Sequence, residues 1–151
     1  MTPASPADGG APCTFCRIVT GDEPAHVVLD DEDVVAFLDV RPVFHGHVLV
    51  VPRQHVDTLT DLDAAALGPF FARVQRVAAA VVDGLGAQGT FVANNNVVSQ
   101  SVPHLHVHVV PRTKGDGLRG FFWPRTKYAD ADEYEDYAAR IRAALASGRV
   151  A

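Results

Sequence analysis

Apolar and polar positions alternate along this chain in a way that marks out its elements before any composition is counted. Short apolar runs with β-branched residues lie at His26-Val27-Val28-Leu29, Val34-Val35-Ala36-Phe37-Leu38, Val48-Leu49-Val50-Val51-Pro52 and Thr90-Phe91-Val92-Ala93, and each reads as a strand. The Val48–Val51 run is continuously apolar, as expected of a central strand. The acidic tetrad Asp30-Asp31-Glu32-Asp33 separates the first two runs and reads as a solvated hairpin tip. Between the third and fourth runs, Leu62, Ala66, Phe70, Val74, Val77, Val81 and Leu85 recur at three- and four-residue spacing. That period predicts a long helix, capped by Thr60 or Asp61 and ending near Leu85, with Gly84, Gly86 and Gly89 as its stop. Gly68-Pro69 should kink it or mark its first turn. A shorter helical turn is expected from Arg17 to Gly21, with Pro24 beyond it. Asp130 or Asp132 caps a final helix with Tyr134, Tyr137, Ile141 and Leu145 on one face.

The most informative pattern is His104-Leu105-His106-Val107-His108-Val109-Val110-Pro111. Three histidines alternate with apolar residues, so a strand would place the imidazoles on one face and Leu105, Val107 and Val109 in the core. Neighbouring imidazoles then stand about 6.5–7 Å apart, close enough to hold successive parts of one elongated ligand. A solvated face and a zinc-binding face of three imidazoles are the competing readings. Pro111 is expected to end the strand, because proline lacks the ladder donor.

Size and charge narrow the class. The chain has 151 residues, 48% apolar and 21% charged, which fits one globular domain. A net charge of −5 argues against general nucleic-acid binding. The pattern carries no secretory leader and no membrane span, so a cytoplasmic location is the expectation. Residues 1–12 are small, polar and rich in Pro and Gly, as disordered tails are; residues 13–151 form the expected single domain, with a variable tail after about residue 112.

Other residues stand out for their chemistry. Cys13-Thr14-Phe15-Cys16 is too sparse for a disulfide scaffold and is either a redox pair or half of a zinc site. Its place before any strand, with histidines elsewhere, favours the metal reading. Asp39 closes a buried strand, where it can accept bonds from a ligand or start a turn before Pro42. His47, next to Gly46, reads as a hydrogen-bonded turn residue or a ligand. Asn94-Asn95-Asn96 forms a turn that delivers Gln100 and Ser101 beside the histidines. Lys114, Arg119 and Trp123 lie in a basic, Gly-rich, aromatic segment suited to a charged ligand or a partner subunit.

Taken together, His104-Leu105-His106-Val107-His108-Val109-Val110, the Cys13–Cys16 pair, Ala36-Phe37-Leu38-Asp39, Gly46–His55 and Gln100-Ser101 resemble the histidine-triad superfamily of nucleotide hydrolases and transferases, over about residues 13–112. The resemblance implies an α+β fold, an antiparallel sheet of about five strands with one long central helix and a C-terminal helix. It implies a homodimer formed through the long helix and a shared sheet, for which the apolar Phe70–Val81 stretch is suited. In that family the middle histidine is the nucleophile, so His106 would attack the α-phosphorus of a purine nucleotide and water would cleave the nucleotidyl-histidine. His108 would assist the leaving group, and Gln100 and Ser101 would bind phosphate or bridging oxygens. Phe15, Ile18, Phe37, Leu38 and Val40 match the base pocket, Asp39 the ribose ligand, and Asn95 an asparagine near the phosphate.

Members with a Cys-x-x-Cys pair place Cys13, Cys16, His55 and His104 around one structural zinc per chain. Relatives carry a longer, Gly-containing loop where this chain has only Asn96-Val97-Val98-Ser99 between Asn95 and Gln100. The resemblance implies a purine nucleoside phosphoramidate or a dinucleoside polyphosphate as substrate and a nucleoside monophosphate as product. The alternatives are a nucleotide-binding regulator with little turnover, and a nucleotidyl transferase or phosphorylase, whose relatives carry glutamine at the third triad position in place of His108.

Overall fold

Which residues pack against which is set by the period-2 alternation of the strands and the 3.6-residue period of one helix. A computed structural model describes residues 12–119 and 126–147, in two units parted between Asp116 and Gly117. The first unit holds α1 (Thr14–Thr20), β1 (Val27–Asp30), β2 (Val34–Leu38), β3 (Val48–Pro52), a 3-10 turn (Leu59–Asp61), α2 (Ala64–Leu85), β4 (Gly89–Ala93) and β5 (Val107–Arg112). The second unit holds α3 (Ala131–Ala146). The five strands form one antiparallel sheet in the order β1-β2-β3-β5-β4. The α+β class, the long central helix and the C-terminal helix are as expected. The N-terminal tail to residue 11 and Trp123 lie outside the described residues.

Alternation divides the sheet into two faces. Val34 and Ala36 of β2, Val48 and Val50 of β3, and Val107 and Val109 of β5 join Leu105 and the Phe70, Val74, Val77 and Val81 stripe of α2 in one buried cluster. Val35, Phe37, Leu49 and Val51 point the other way and pack with Phe15 of α1. By length and composition α2 is apolar enough to cross a membrane, but this buried stripe is consumed by the sheet. The Phe70–Val81 stretch therefore serves the chain's own core, and Leu67, Phe71 and Leu85 are the large apolar residues that α2 leaves exposed.

Several boundaries differ from the pattern, each for a local reason. Asp63, not Thr60 or Asp61, caps α2 by accepting the Ala65 N–H at 2.8 Å. Thr58 and Asp61 instead form a capping box on the preceding 3-10 turn. Pro69 stands inside α2, and Leu85 is exposed although it abuts Gly46. Gly86 ends the helix in the left-handed conformation at φ 66°, where glycine meets no Cβ penalty. Pro111 does not end β5, which runs to Arg112 with Pro111 opposite Thr90. Arg112 directs its carbonyl at Gln88 beyond β4, so Pro111 faces the β3 side, where pairing has already stopped at Val48–Val109. No donor is needed there. The acidic tip is more than solvated: Arg73 of α2 pairs with Asp31, Glu32 and Asp33 at 2.8–3.3 Å.

In the second unit, Asp130 caps α3 by accepting the Glu133 N–H at 2.8 Å. Tyr134, Tyr137, Ile141 and Leu145 are all exposed.

Candidate active site and metal centre

The histidines do not share one strand. β5 begins only at Val107, and His104, Leu105 and His106 enter it as irregular backbone held by the Leu105 N–H to the Val56 carbonyl at 2.7 Å. The core side of the alternation persists, since Leu105, Val107 and Val109 are buried against α2. The three imidazoles turn to the Phe15 side, with the His106 and His108 ring centres 5.1 Å apart. Phe15 sets its edge against both His104 and His106, at 6.0 and 5.2 Å between centroids.

Each imidazole has one nitrogen committed to a neighbouring group, and this decides where its proton sits. A carbonyl only accepts, so His106 donates from Nδ1 to the His104 carbonyl at 2.7 Å and keeps a lone pair on Nε2. Asn94 donates from Nδ2 to the His106 carbonyl at 2.9 Å, steadying the same residue from the β4 side. His47 accepts the Val43 N–H on Nδ1 at 3.1 Å, so its own proton is on Nε2. That nitrogen stands 2.9 Å from His108 Nδ1, which must accept, leaving the His108 proton on Nε2. The sheet register explains the meeting: Leu49 pairs with His108, and His47, two residues before Leu49, falls on the same face.

Burial favours the neutral form of His47 and His108. It lowers His47 below the ordinary imidazole value, partly offset by Asp39 Oδ2, which lies 3.7 Å from His47 Nε2. His108 is pushed down to about 4 by burial and by the neighbouring His106 and His47. Asp39, His47 and His108 bring ligand atoms within 4.8 Å of one another, a set that on composition alone would suit a metal. The tautomers argue otherwise. A metal would need the lone pair of His47 Nε2, and the Val43 N–H already holds the proton there.

A second constellation has the opposite arrangement. His104 lies wholly buried and donates from Nε2 to the Pro52 carbonyl at 2.9 Å; His55 donates from Nε2 to the Asp57 carboxylate at 2.9 Å. Both rings thus aim Nδ1 lone pairs at the cysteines. His104 Nδ1 is 3.5 Å from each of the Cys13 and Cys16 sulfurs, and His55 Nδ1 is 3.2 Å from Cys16. Ideal tetrahedral zinc, with Zn–S about 2.3 Å and Zn–N about 2.0–2.1 Å, separates sulfur and nitrogen by about 3.5 Å. The four ligand atoms lie within 4.8 Å of one another. Burial and the adjacent Cys13 raise the Cys16 thiol to about 11, so a cation is what would make this pair thiolates. The donor set fits zinc, in a closed site without an open position.

The remaining expected residues are distributed as follows. Phe15, Ile18 and Phe37 pack in one cluster, with Phe15 edge-on to Phe37 at 5.4 Å, whereas Leu38 and Val40 are exposed at 37% and 90%. Asp39 spends Oδ1 on the Arg41 N–H at 2.9 Å, the turn role, and leaves Oδ2 toward His47. Gln100 donates to the Asp57 carbonyl at 2.5 Å and accepts the Val97 N–H at 2.8 Å, so both ends of its amide hold the loop. Ser101 and Asn95 are exposed. Val97 and Ser99 adopt φ of 68° and 61°, left-handed values that a β-branched residue rarely takes.

Three residues of this region escaped the pattern: His47 as a partner of His108, Asn94, and Asp57. Continuing the β4–β5 register past Ala93–His108 would set Asn94 opposite Val107, next to His106. The Asp57 spacing from His55 carries no such signal.

A HIT domain model matches residues 20–115. Over 126 residues the chain is 38% identical to the protein hit of Bacillus subtilis, covering 82% of this chain and 83% of that one. It is 32% identical over 114 residues to the adenosine 5'-monophosphoramidase hnt1 of Schizosaccharomyces pombe, covering 74% and 83%. With the adenylylsulfatase HINT3 of Arabidopsis thaliana it shares 30% over 108 residues, covering 70% and 55%. Among solved structures, a HIT family member from Bacillus subtilis superposes with a TM-score of 0.79 at 32% identity, covering 93% and 99%. A zinc-bound histidine triad family protein from Mycobacterium smegmatis superposes at 0.67 and 39%, covering 89% and 94%.

Proposed function

The chain belongs to the HIT family, and from that membership we propose that it hydrolyses a purine nucleoside phosphoramidate or a dinucleoside polyphosphate to a nucleoside monophosphate. The observation that carries this reading is the His106 Nδ1–H bond to its own chain's His104 carbonyl at 2.7 Å. It leaves Nε2 as a neutral nucleophile and lets the carbonyl stabilise the positive charge the ring gains on attack. Nε2 would bond to the α-phosphorus while the P–N or P–O bond to the leaving group breaks. His108, whose proton is held on Nε2 by His47, would donate a hydrogen bond to the departing amine or phosphate, which takes any proton it needs from solvent. Water would then bond to the phosphorus as the P–Nε2 bond breaks, releasing a proton to solvent and returning His106 to its starting state. A family that includes proteins named adenosine 5'-monophosphoramidase and adenylylsulfatase supports the reaction class.

The Phe15, Ile18 and Phe37 cluster with the exposed Leu38 and Val40 offers the base an apolar wall. Asp39 Oδ2 offers the ribose an acceptor. Gln100, Ser101 and Asn95 would lie on the loop beside the phosphate. Zinc at Cys13, Cys16, His55 and His104 would pin α1 to the backbone of the nucleophile, with no part in bond breaking. A homodimer would use the outward Leu67 and Phe71 of α2 and the terminal strand β4.

The test is steady-state hydrolysis of an adenosine phosphoramidate and of diadenosine tri- and tetraphosphate on one preparation, with His106→Ala as control. The parent should release AMP from at least one, and the variant should lose about 10⁴-fold or more in kcat while still binding AMP. Equal rates in parent and variant would sink the mechanism. AMP binding without turnover would favour the regulator, and turnover only with added phosphate the transferase.

A further inference from the structure

The segment from His55 to Leu59 touches both halves of this region. On the metal side, His55 Nδ1 faces Cys16 while its Nε2–H is received by Asp57 Oδ1 at 2.9 Å. On the loop side, the Asp57 carbonyl accepts Gln100 Nε2 at 2.5 Å, and the Leu59 N–H donates to Asn96 Oδ1 at 2.8 Å. Gln100 in turn holds the Val97 N–H at 2.8 Å. The stretch from Asn96 to Gln100 thus hangs from two points two residues apart, both within four residues of a metal-type ligand. It needs such anchors, because Val97 and Ser99 sit at left-handed φ values that persist only where the surroundings hold them.

We infer that Asp57 is a positioning residue that joins the metal centre to the phosphate-side loop: its carboxylate aims His55 at the metal and its carbonyl carries Gln100. A histidine ligand whose far nitrogen is held by a carboxylate keeps one tautomer and one ring orientation, and loss of such a partner weakens metal binding about 10–100-fold. Because one residue serves both contacts, metal that fixes His55 also fixes the carbonyl from which Gln100 hangs. The inference rests on the metal reading of Cys13, Cys16, His55 and His104 and needs no particular substrate.

Two measurements test it without substrate. Zinc affinity by chelator competition should fall about 10–100-fold in Asp57→Ala and be largely restored in Asp57→Asn, whose amide oxygen still accepts from His55. In the parent chain, stripping zinc should raise amide hydrogen exchange across residues 96–101 several-fold while leaving β2 protected. Undiminished zinc affinity in a folded Asp57→Ala, or exchange at 96–101 indifferent to zinc in the parent, would overturn it. The second arm stands even where the alanine variant does not fold. Since neither arm reads turnover, failure of either leaves the hydrolase reading untouched, and an inactive parent leaves this one untouched.

Discussion

Two clusters within one small region contain nearly the same chemistry and are organised for opposite ends. Cys13, Cys16, His55 and His104 form one; Asp39, His47 and His108 form the other; each gathers its ligand atoms within 4.8 Å. In the first, both rings give their Nε2 protons outward, to the Pro52 carbonyl and the Asp57 carboxylate, so every remaining electron pair converges on one point. In the second, a backbone N–H occupies His47 Nδ1, so His47 presents its Nε2 proton inward to His108. Composition and proximity do not separate the two clusters. The partner of the far nitrogen does. His106 stands between the two, its tautomer set by the backbone of His104, whose ring belongs to the cysteine cluster.

The comparison is broken most severely on the metal side. Cys13→Ser with Cys16→Ser should take bound zinc from one per chain to none, measured by metal analysis. It should also lower stability, since a ligand at a thousandfold excess over its Kd contributes about 4 kcal/mol. Retained metal would refute the site. On the His47–His108 side, His47→Ala should leave zinc content unchanged but lower kcat about 10²-fold, the cost of misplacing a group that orients the reacting atoms. Loss of zinc in that variant would mean the two clusters are not separate.

The smallest effect is on acid stability. His108 is held near 4 in the folded chain against about 6.5 when unfolded, so the unfolded chain binds more protons between those values. Stability from this group is therefore complete above about pH 6.5 and lost as pH falls toward 4. Urea unfolding at pH 7, 5.5 and 4.5 should show a shallower loss in His108→Asn than in the parent; parallel curves would mean the imidazole is not buried neutral.

Much of the fold was legible because burial leaves a periodic trace. β2 and β3 occupy the runs Val34–Leu38 and Val48–Pro52, and the α2 stripe reads off Phe70, Val74, Val77 and Val81. The motif residues Cys13, Cys16, His55 and His104 converge as the family resemblance implied, although they lie far apart in the chain. What the pattern missed was local competition among polar groups. Asp63 outcompetes Thr60 and Asp61 as the α2 cap because Asp61 is already bound to Thr58. Gln100 gives both ends of its amide to the loop, a choice that depends on where the Asp57 and Val97 backbones happen to pass.

By itself, then, the amino-acid sequence determined the family, the long helix and most of the strands, since those follow from periodicity and residue type. Only the tertiary structure decided the protonation geometry. The Val43 amide, the Pro52 and His104 carbonyls and the Asp57 carboxylate are not adjacent in the chain to all the rings they govern. An imidazole takes its tautomer from whichever neighbour the fold sets against it.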